Sequence, residues 1–487
     1  MKAQEKWENR NNFLMRLHMK NRNLEEQFTL FPIDTEFETS KEETTSDGVE
    51  LVSFRELVPE INDTGYLTHA IFAYPAKFIP QIVRYAIKTY TKEGDWIVDP
   101  FAGSGTVGVE AYLCKRNAVL LDLNLLLNHI MPLKIYRGTD RLNEADLCKL
   151  LEGMQESRHQ FTPAWSNVAY WYAPEMLEVL SCYWGFINNT DGGVYSTIIK
   201  SALLKASKRF SYTEDRTPKL AKSKRKLSAI EELLKENWRE KLDEMLYSLS
   251  LKTLKSLNDF VMHTQQHQNE GSPEVHWQGG VDSSYATVPR ECDALITSPP
   301  YLQAQEYIRS TKMDLFWLGH TEEEIQELSR LEIPYRKADR MIQTETLDKV
   351  REMLTRDDLH KRLDSYFCHT INALENSMNQ LKPNAAACIF VGNPRIDGIT
   401  VELWRILAEY FTERGFVFEK VYEDRIKTRK LFGARKNKNP DGMKSEFLLI
   451  LRRDATYQPA AQQCGPALQD EEDPLPAPRI SLNNDAS

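Results

Sequence analysis

The chain has 487 residues, 41% of them hydrophobic and 27% charged, with a formal net charge of −9. That balance and length suit two or three folded cores at about 100–200 residues per domain, and they exclude a disordered polymer, a collagen-like fibre and a small disulfide scaffold. They also exclude a wholesale polycation, so any nucleic-acid surface must be a local basic patch.

In chain order, residues 1–50 are polar and end in an acidic, Thr-rich stretch from Glu36 to Glu50. A short helix over 10–21 followed by a flexible leader is expected there. Helical periodicity over 79–90 precedes an apolar run at 96–98, which reads as a buried strand. The strand runs into Asp99-Pro100-Phe101-Ala102-Gly103-Ser104-Gly105-Thr106, and a helix is expected over 107–115. Gly103 and Gly105 permit a tight turn and let a ligand approach backbone N–H groups. Val at either position should abolish ligand binding and leave the fold intact. No Gly-Lys-Ser/Thr follows, so this is not a Walker phosphate loop. Gly108 completes a formal G-x-G-x-x-G, which keeps a dinucleotide open on spacing alone. The next strand, over 118–121, ends at Asp122, where an acid can bind a ribose diol.

Residues 125–270 are Leu-rich, helical and strand-poor, and read as an inserted domain. Within it, Lys200, Lys205, Lys208, Arg209, Arg216, Lys219, Lys222, Lys224, Arg225 and Lys226 face only Glu214 and Asp215. Such a cluster in an acidic chain can hold phosphates, with Lys208, Arg209, Lys222, Lys224 and Arg225 as candidate contacts. Trp165, Tyr170, Trp171, Tyr172, Tyr183 and Trp184 read as helical core rather than a base-stacking platform.

A strand at 294–297 then ends in Thr297-Ser298-Pro299-Pro300-Tyr301. The prolines fix φ and donate no hydrogen bonds, which leaves carbonyls free at the strand's carboxyl end beside a hydroxyl and an aromatic ring. Two acceptors and a stacking face suit the exocyclic amino group of a planar base. A helix at 359–380, a strand at 387–391, a helix at 401–414 and a strand at 446–451 follow. A basic stretch, Arg425-Ile426-Lys427-Thr428-Arg429-Lys430-Leu431 with Arg435, Lys436 and Lys438, precedes the last strand. Residues 455–487 read as a disordered tail. Strands alternating with helices predict an α/β, doubly wound sheet that binds ligands at the carboxyl ends of its strands.

Seven cysteines lie far apart with no C-x-x-C. That argues against a disulfide framework or a zinc site and for a reducing compartment; no metal is expected. No apolar signal region or membrane span is visible, so a cytoplasmic, nucleoid-associated protein is expected.

The Gly-rich turn and the Ser-Pro-Pro-Tyr turn together resemble the motifs of the amino-methylating DNA methyltransferases. These transfer a methyl group from S-adenosylmethionine to the exocyclic nitrogen of cytosine or adenine. The segment His69-Ala70-Ile71-Phe72-Ala73-Tyr74-Pro75-Ala76-Lys77-Phe78-Ile79-Pro80 is similar to the one that precedes the Gly-rich turn in that family and helps wall the cofactor. Ser at the second motif resembles the N4-cytosine group; the adenine group more often has Asp or Asn. The resemblance covers residues 67–124 and 275–453.

It implies a Rossmann-like methyltransferase sheet with a helical insert for target recognition. The parts are a leader at 1–50, the cofactor-binding half of the core at 51–124, the insert at 125–270, the catalytic half at 271–454 and a tail at 455–487. It favours S-adenosylmethionine over a dinucleotide. It implies cofactor contacts from Phe78, Asp99, Pro100, Phe101, Gly103, Ser104, Gly105 and Thr106, from Asp122 to the ribose, and from Asp282, in Gly279-Gly280-Val281-Asp282, to the adenine. The target base would leave the duplex, stack on Tyr301 and offer its amino protons to the Ser298 hydroxyl and the Pro299 carbonyl, with Pro300 stiffening the turn. No Pro-Cys nucleophile motif occurs, and Cys292 and Cys388 read as packing residues. Arg429 and Arg435 would lie in a basic loop beside the cleft. Double-stranded DNA is the implied partner, and a separate restriction endonuclease is a further one. The competing readings are an N6-adenine DNA enzyme of the same fold, an RNA methyltransferase, disfavoured by the short polar stretch ahead of His69, and a non-catalytic DNA-binding subunit.

Overall fold

A computed structural model describes residues 43–44, 48–72, 74, 77–214, 220–265, 271–302, 306–425 and 445–457. The strands in chain order are β1 (Glu43–Thr44), β2 (Val49–Val52), β3 (Trp96–Asp99), β4 (Asn117–Asp122), β5 (Val275–Gly279), β6 (Cys292–Thr297), β7 (Leu381–Gly392), a small hairpin of β8 (Arg395–Ile396) and β9 (Ile399–Thr400), β10 (Phe416–Arg425) and β11 (Ser445–Arg453). Nine of them form one sheet in the order β1-β2-β10-β11-β7-β6-β3-β4-β5. The run β5-β4-β3-β6-β7 is parallel throughout. β11 is antiparallel to both β7 and β10.

Alternation along the strands builds two cores. Trp96, Val98, Val119, Leu121, Leu295, Ile389 and Leu449 face one side. Ile97, Ala118, Leu120, Ala294, Ile296, Cys388 and Ile450 face the other. A strand's side chains alternate between faces, so a strand buried on both must be apolar at nearly every position. The helices Asp357–Met378 and Leu403–Thr412 cover the first side, through Phe367, Ile371 and Leu407. The helices Pro80–Tyr90, Thr106–Leu113 and Leu126–Lys134 cover the second, through Val83, Val109 and Met131. This is the doubly wound α/β architecture expected from the sequence.

β3 lies between β4 and β6, so the chain winds outward in opposite directions from it. Crevices open at such a switch point, at the carboxyl ends of the strands. Both sequence motifs sit there.

The connection from β4 to β5 carries the helices Leu126–Lys134, Glu144–Glu156, Pro174–Asn188, Gly193–Arg209, Lys224–Leu234 and Trp238–Thr264. The first and last of these reach the sheet through Leu127, Met131 and Phe260. Trp165, Trp171, Tyr172, Tyr183 and Trp184 are buried, and Tyr170 is exposed. Trp184 stacks on Trp317 at 5.7 Å and Trp165 on Phe316 at 4.6 Å. These rings join the insert to the helix Tyr307–Trp317.

The structure differs from the sequence reading at the amino end. The leader expected over 1–50 overlaps β1 and β2, and β2 pairs in parallel with β10. The helix expected over 10–21 lies outside the described residues, as does the tail from 458 onward. The six described cysteines are free, and Cys292 and Cys388 are fully buried. Among the described residues no helix is long and apolar enough to cross a membrane.

Candidate active site

β3 and β6 pair side by side, Ile97 with Ala294 and Val98 with Leu295. The Gly-rich turn and the Ser-Pro-Pro-Tyr turn therefore leave the sheet as neighbours. The Thr297 hydroxyl donates to Asp99 Oδ1 at 2.6 Å, and the same oxygen accepts the Phe101 N–H at 3.0 Å. One carboxylate thus ties together two motifs that are far apart in sequence. Burial raises the Asp99 pKa to about 7, against the pull of its hydrogen bonds.

The glycine turn is held from below. Asp122, at the end of β4, accepts the Gly103 N–H at 2.6 Å and the Asn124 N–H at 2.7 Å. Burial raises its pKa to about 6. Lys134, fully buried, donates to the Ser104 carbonyl at 2.6 Å. Gly103 and Gly105 have φ of +51° and +73°, a region open to glycine and costly for other residues. A Cβ at Gly103 would meet only the Tyr74 ring, at 3.2 Å, whereas one at Gly105 would overlap the buried Met131 sulfur. The expectation that Val at either glycine spares the fold is therefore corrected at both. Gly103→Val should abolish cofactor binding in calorimetric titration and lower the unfolding midpoint, because a β-branched residue is strained at this positive φ. Gly105→Val should also overpack the core, at a cost of about 1–3 kcal/mol.

Behind the turn, Glu110 on the helix Thr106–Leu113 is fully buried. It accepts from Arg84 Nε at 2.6 Å, pairs with His69 Nε2 at 2.7 Å and accepts from the Tyr66 hydroxyl. Burial alone would raise its pKa, but Arg84 and these bonds hold it down at about 2. Burial lowers His69 to about 4, so it is neutral at pH 7. Lys77 donates to the carbonyls of Thr64 and His69 at 3.0 and 2.9 Å.

The two turns open on one cavity of about 1150 Å³ of empty space, its mouth included. Of the sequence-derived candidates, Phe78, Asp99, Pro100, Phe101, Gly103, Ser104, Thr106, Asp122, Asp282, Ser298, Pro300 and Tyr301 line it. Gly105 and Pro299 are not among the residues that line it. Phe78 stacks on Phe390 at 5.5 Å. Asp282 pairs with Arg336 at 2.6 Å and accepts the Ser284 N–H at 3.0 Å. The Tyr301 hydroxyl donates to Glu446 at 2.9 Å, and Pro300 O accepts from the Tyr366 hydroxyl at 2.8 Å.

Sequence reasoning missed Glu332, Arg336, Tyr307, Tyr366 and Glu446, and had Tyr74 only as part of the upstream segment. Tyr74 and Tyr307 stack at 6.0 Å with planes 10° apart. Glu332 caps Ile308 N at 2.9 Å, and burial raises its pKa to about 7. No local pattern marks these side chains. They come from five separate segments, which only the fold brings together.

The basic cluster in the insert is largely engaged within the protein. Lys208 pairs with buried Asp314 at 2.6 Å and donates to the Ser310 carbonyl at 3.1 Å. Lys222 lies over the rings of Tyr170 and Tyr212, at 4.2 and 4.4 Å, and donates to the Tyr170 carbonyl. Arg225 pairs with Glu214, and Lys226 is buried on the Arg209 carbonyl. Arg209 and Lys224 are exposed. Counting charges along the sequence does not separate a cation tied to a distant acid from one facing solvent. Lys208→Ala should lower the thermal midpoint, because it strands Asp314. Lys224→Ala should leave the midpoint unchanged and, if this face holds DNA as the sequence suggests, reduce the salt slope of binding by about one. Arg429 and Arg435 lie outside the described residues, although the strand ends flanking them, Arg425 and Ser445, pair with each other.

Known proteins resemble parts of the chain. A family model described as DNA methylase, of the N6/N4 type, matches residues 2–129. The Type II methyltransferase M.BsoBI of Geobacillus stearothermophilus is 25% identical over 296 residues, 57% of this chain and 58% of that protein. M.MjaII of Methanocaldococcus jannaschii is 43% identical over 56 residues, 12% of this chain and 11% of its own. M2.DpnII of Streptococcus pneumoniae is 37% identical over 79 residues, 14% of this chain and 30% of its own. The chain thus spans a little over half of the first relative and less of the others. With the two turns joined at the switch point of a doubly wound sheet, these similarities lead to one conclusion: over the matched segments the chain is similar to the amino-methylating DNA methyltransferases.

Proposed function

We propose that the protein transfers a methyl group from S-adenosylmethionine to the N4 amino group of cytosine in duplex DNA. The observation that carries this reading is the Thr297–Asp99 hydrogen bond, which sets the glycine turn and the Ser-Pro-Pro-Tyr turn on one cavity.

The residues present fit the cofactor. The glycine turn is a cradle that a Cβ at Gly103 would narrow. Asp99 and Asp122 are acceptors for an ammonium group and a ribose diol, and Phe78 and Phe101 are apolar walls. Bound S-adenosylmethionine supplies an electrophilic methyl group on a sulfonium. The chain's own residues do the rest. Tyr301 stacks on a base turned out of the duplex. The Ser298 hydroxyl and the Pro299 carbonyl accept hydrogen bonds from the amino group, which directs the nitrogen lone pair toward the methyl carbon, and one amino proton is released to solvent as the nitrogen gains the methyl group. Tyr74, Tyr307 and Tyr366 keep bulk water from the cavity. Much of the rate then comes from holding nitrogen and carbon at attack distance. No enzyme nucleophile is needed.

Ser298 carries the choice of cytosine over adenine. It offers a neutral hydroxyl where the adenine group more often has a carboxylate or amide. The relatives' names are those of Type II methyltransferases, and we read this chain as the modification component beside a separate restriction endonuclease. Incubating the protein with methyl-labelled S-adenosylmethionine and duplex DNA or RNA tests the activity. Label should enter DNA and not RNA. Label in RNA alone, or in neither, would remove the reading.

Cofactor binding should also report the two raised carboxyls. Asp122 and Asp99 titrate near 6 and 7. Their ionised forms are the better acceptors, so affinity should rise as pH increases through 6–7. Asp122→Asn should remove the lower step. Calorimetric titration at pH 5.5, 6.5 and 7.5 checks both.

A further inference from the structure

A Pro-Pro turn has a mechanical weakness. Neither proline has an N–H, so the turn cannot be fixed by backbone donors at those two positions. It must be held through its carbonyls and flanking side chains. Thr297 supplies one anchor, on Asp99. The two anchors beyond it come from elements that no sequence motif includes.

Tyr366 lies on the helix Asp357–Met378, 3% exposed. Its hydroxyl donates to Pro300 O at 2.8 Å. Glu446 lies at the start of β11, where it pairs with Gly392 at the end of β7. Because β11 runs against β7, its first residues arrive at the edge where the parallel strands end. Glu446 there accepts the Tyr301 hydroxyl at 2.9 Å. The backbone of the turn and the far tip of the Tyr301 ring are thus each held by a separate element.

We infer that Glu446 and Tyr366 are positioning residues for methyl transfer to the amino nitrogen; the inference rests on the methyl-transfer reading of this site. Glu446 sets the plane of the Tyr301 ring and so the plane of any base stacked on it. Tyr366 engages the Pro300 carbonyl and leaves the Pro299 carbonyl and the Ser298 hydroxyl to the amino protons. Neither group touches the reacting atoms. Each acts by keeping the nitrogen in line with the methyl carbon, where small misplacements are costly.

The test uses the full chain with labelled S-adenosylmethionine and duplex DNA. Tyr301→Phe and Tyr366→Phe each remove one hydroxyl without opening a cavity. Each should lower kcat about tenfold, with cofactor Kd and DNA KM within about twofold of wild type. Glu446→Gln keeps an acceptor for the phenol and should retain kcat within about threefold, whereas Glu446→Leu should match Tyr301→Phe. In the Tyr301→Phe background, Glu446→Leu should add nothing, because the bond is already gone. Wild-type kcat in both Phe variants would overturn the inference alone, as would additive losses in the double variant or parallel losses in kcat, KM and thermal midpoint. A wild-type protein that transfers no label to DNA would overturn the methyl-transfer reading and this inference with it. If Glu446→Leu does not fold, the two Phe variants decide the outcome.

Discussion

Glu110→Ala is expected to destabilise the fold by about 3–5 kcal/mol, because it leaves the Arg84 guanidinium buried without its anion. Arg84 is 3% exposed and Glu110 fully buried, so water cannot replace the lost partner. The same carboxylate holds Tyr66 and His69, at the start of the segment that walls the cavity. Cofactor affinity should therefore fall as well. The pH dependence has a definite sign. Glu110 titrates at about 2 in the fold against an ordinary 4.5. Its contribution is complete above about 4.5 and is lost as pH falls toward 2. His69, lowered to about 4 from 6.5, adds a loss that begins as pH drops below 6.5. The His69 loss is common to both proteins, so it is the Glu110 contribution that makes the stability gap between wild type and Glu110→Ala widest near neutrality and narrower as pH falls below about 4.5. Urea unfolding at pH 4, 5.5 and 7 measures this. A gap that grows toward pH 4 would show that Glu110 is not the anchor of this network.

The second large effect is on turnover. On the proposed reading, Tyr301→Ala removes the face on which the turned-out base would rest. Base–aromatic stacking is worth about 1–3 kcal/mol, so kcat should fall by about 5- to 150-fold. Asp99, Asp122 and the glycine turn are untouched, so cofactor Kd should stay within about twofold. Single-turnover transfer and calorimetric titration on the same preparation separate the two. A variant that loses cofactor binding and turnover together would place Tyr301 on the cofactor side of the cavity.

The parallel centre of the sheet was legible because it is buried on both faces. β3, β4, β6 and the inner part of β7 read as uninterrupted apolar runs. β5 was not, since its three middle residues are half-exposed and polar or amphipathic. β10 was not either: its Glu419, Lys420, Glu423 and Asp424 interrupt the apolar pattern near the sheet edge. The same contrast holds for the site. Residues within the two turns announce themselves because glycine, proline and the flanking acid have local backbone reasons to be there. Glu446, Tyr366 and Arg336 are ordinary residues in ordinary helices, strands and loops. Only the reversed direction of β11, the helix over β7 and the loop after Glu332 bring them to the cavity. Part of the basic cluster is engaged within the protein for a related reason. The acid that Lys208 meets lies on the helix after the Ser-Pro-Pro-Tyr turn, in the other half of the chain.

The most direct measurement is nucleoside mass spectrometry of duplex DNA incubated with the purified protein and S-adenosylmethionine. Cytosine carrying one added methyl on N4 is the product expected if Ser298, Pro299 and Tyr301 receive the amino group as argued. N6-methyladenine in its place would contradict the role given to Ser298 and move the acceptor to adenine. DNA with no methylated base, from protein shown to bind S-adenosylmethionine, would contradict the assignment of the cavity itself.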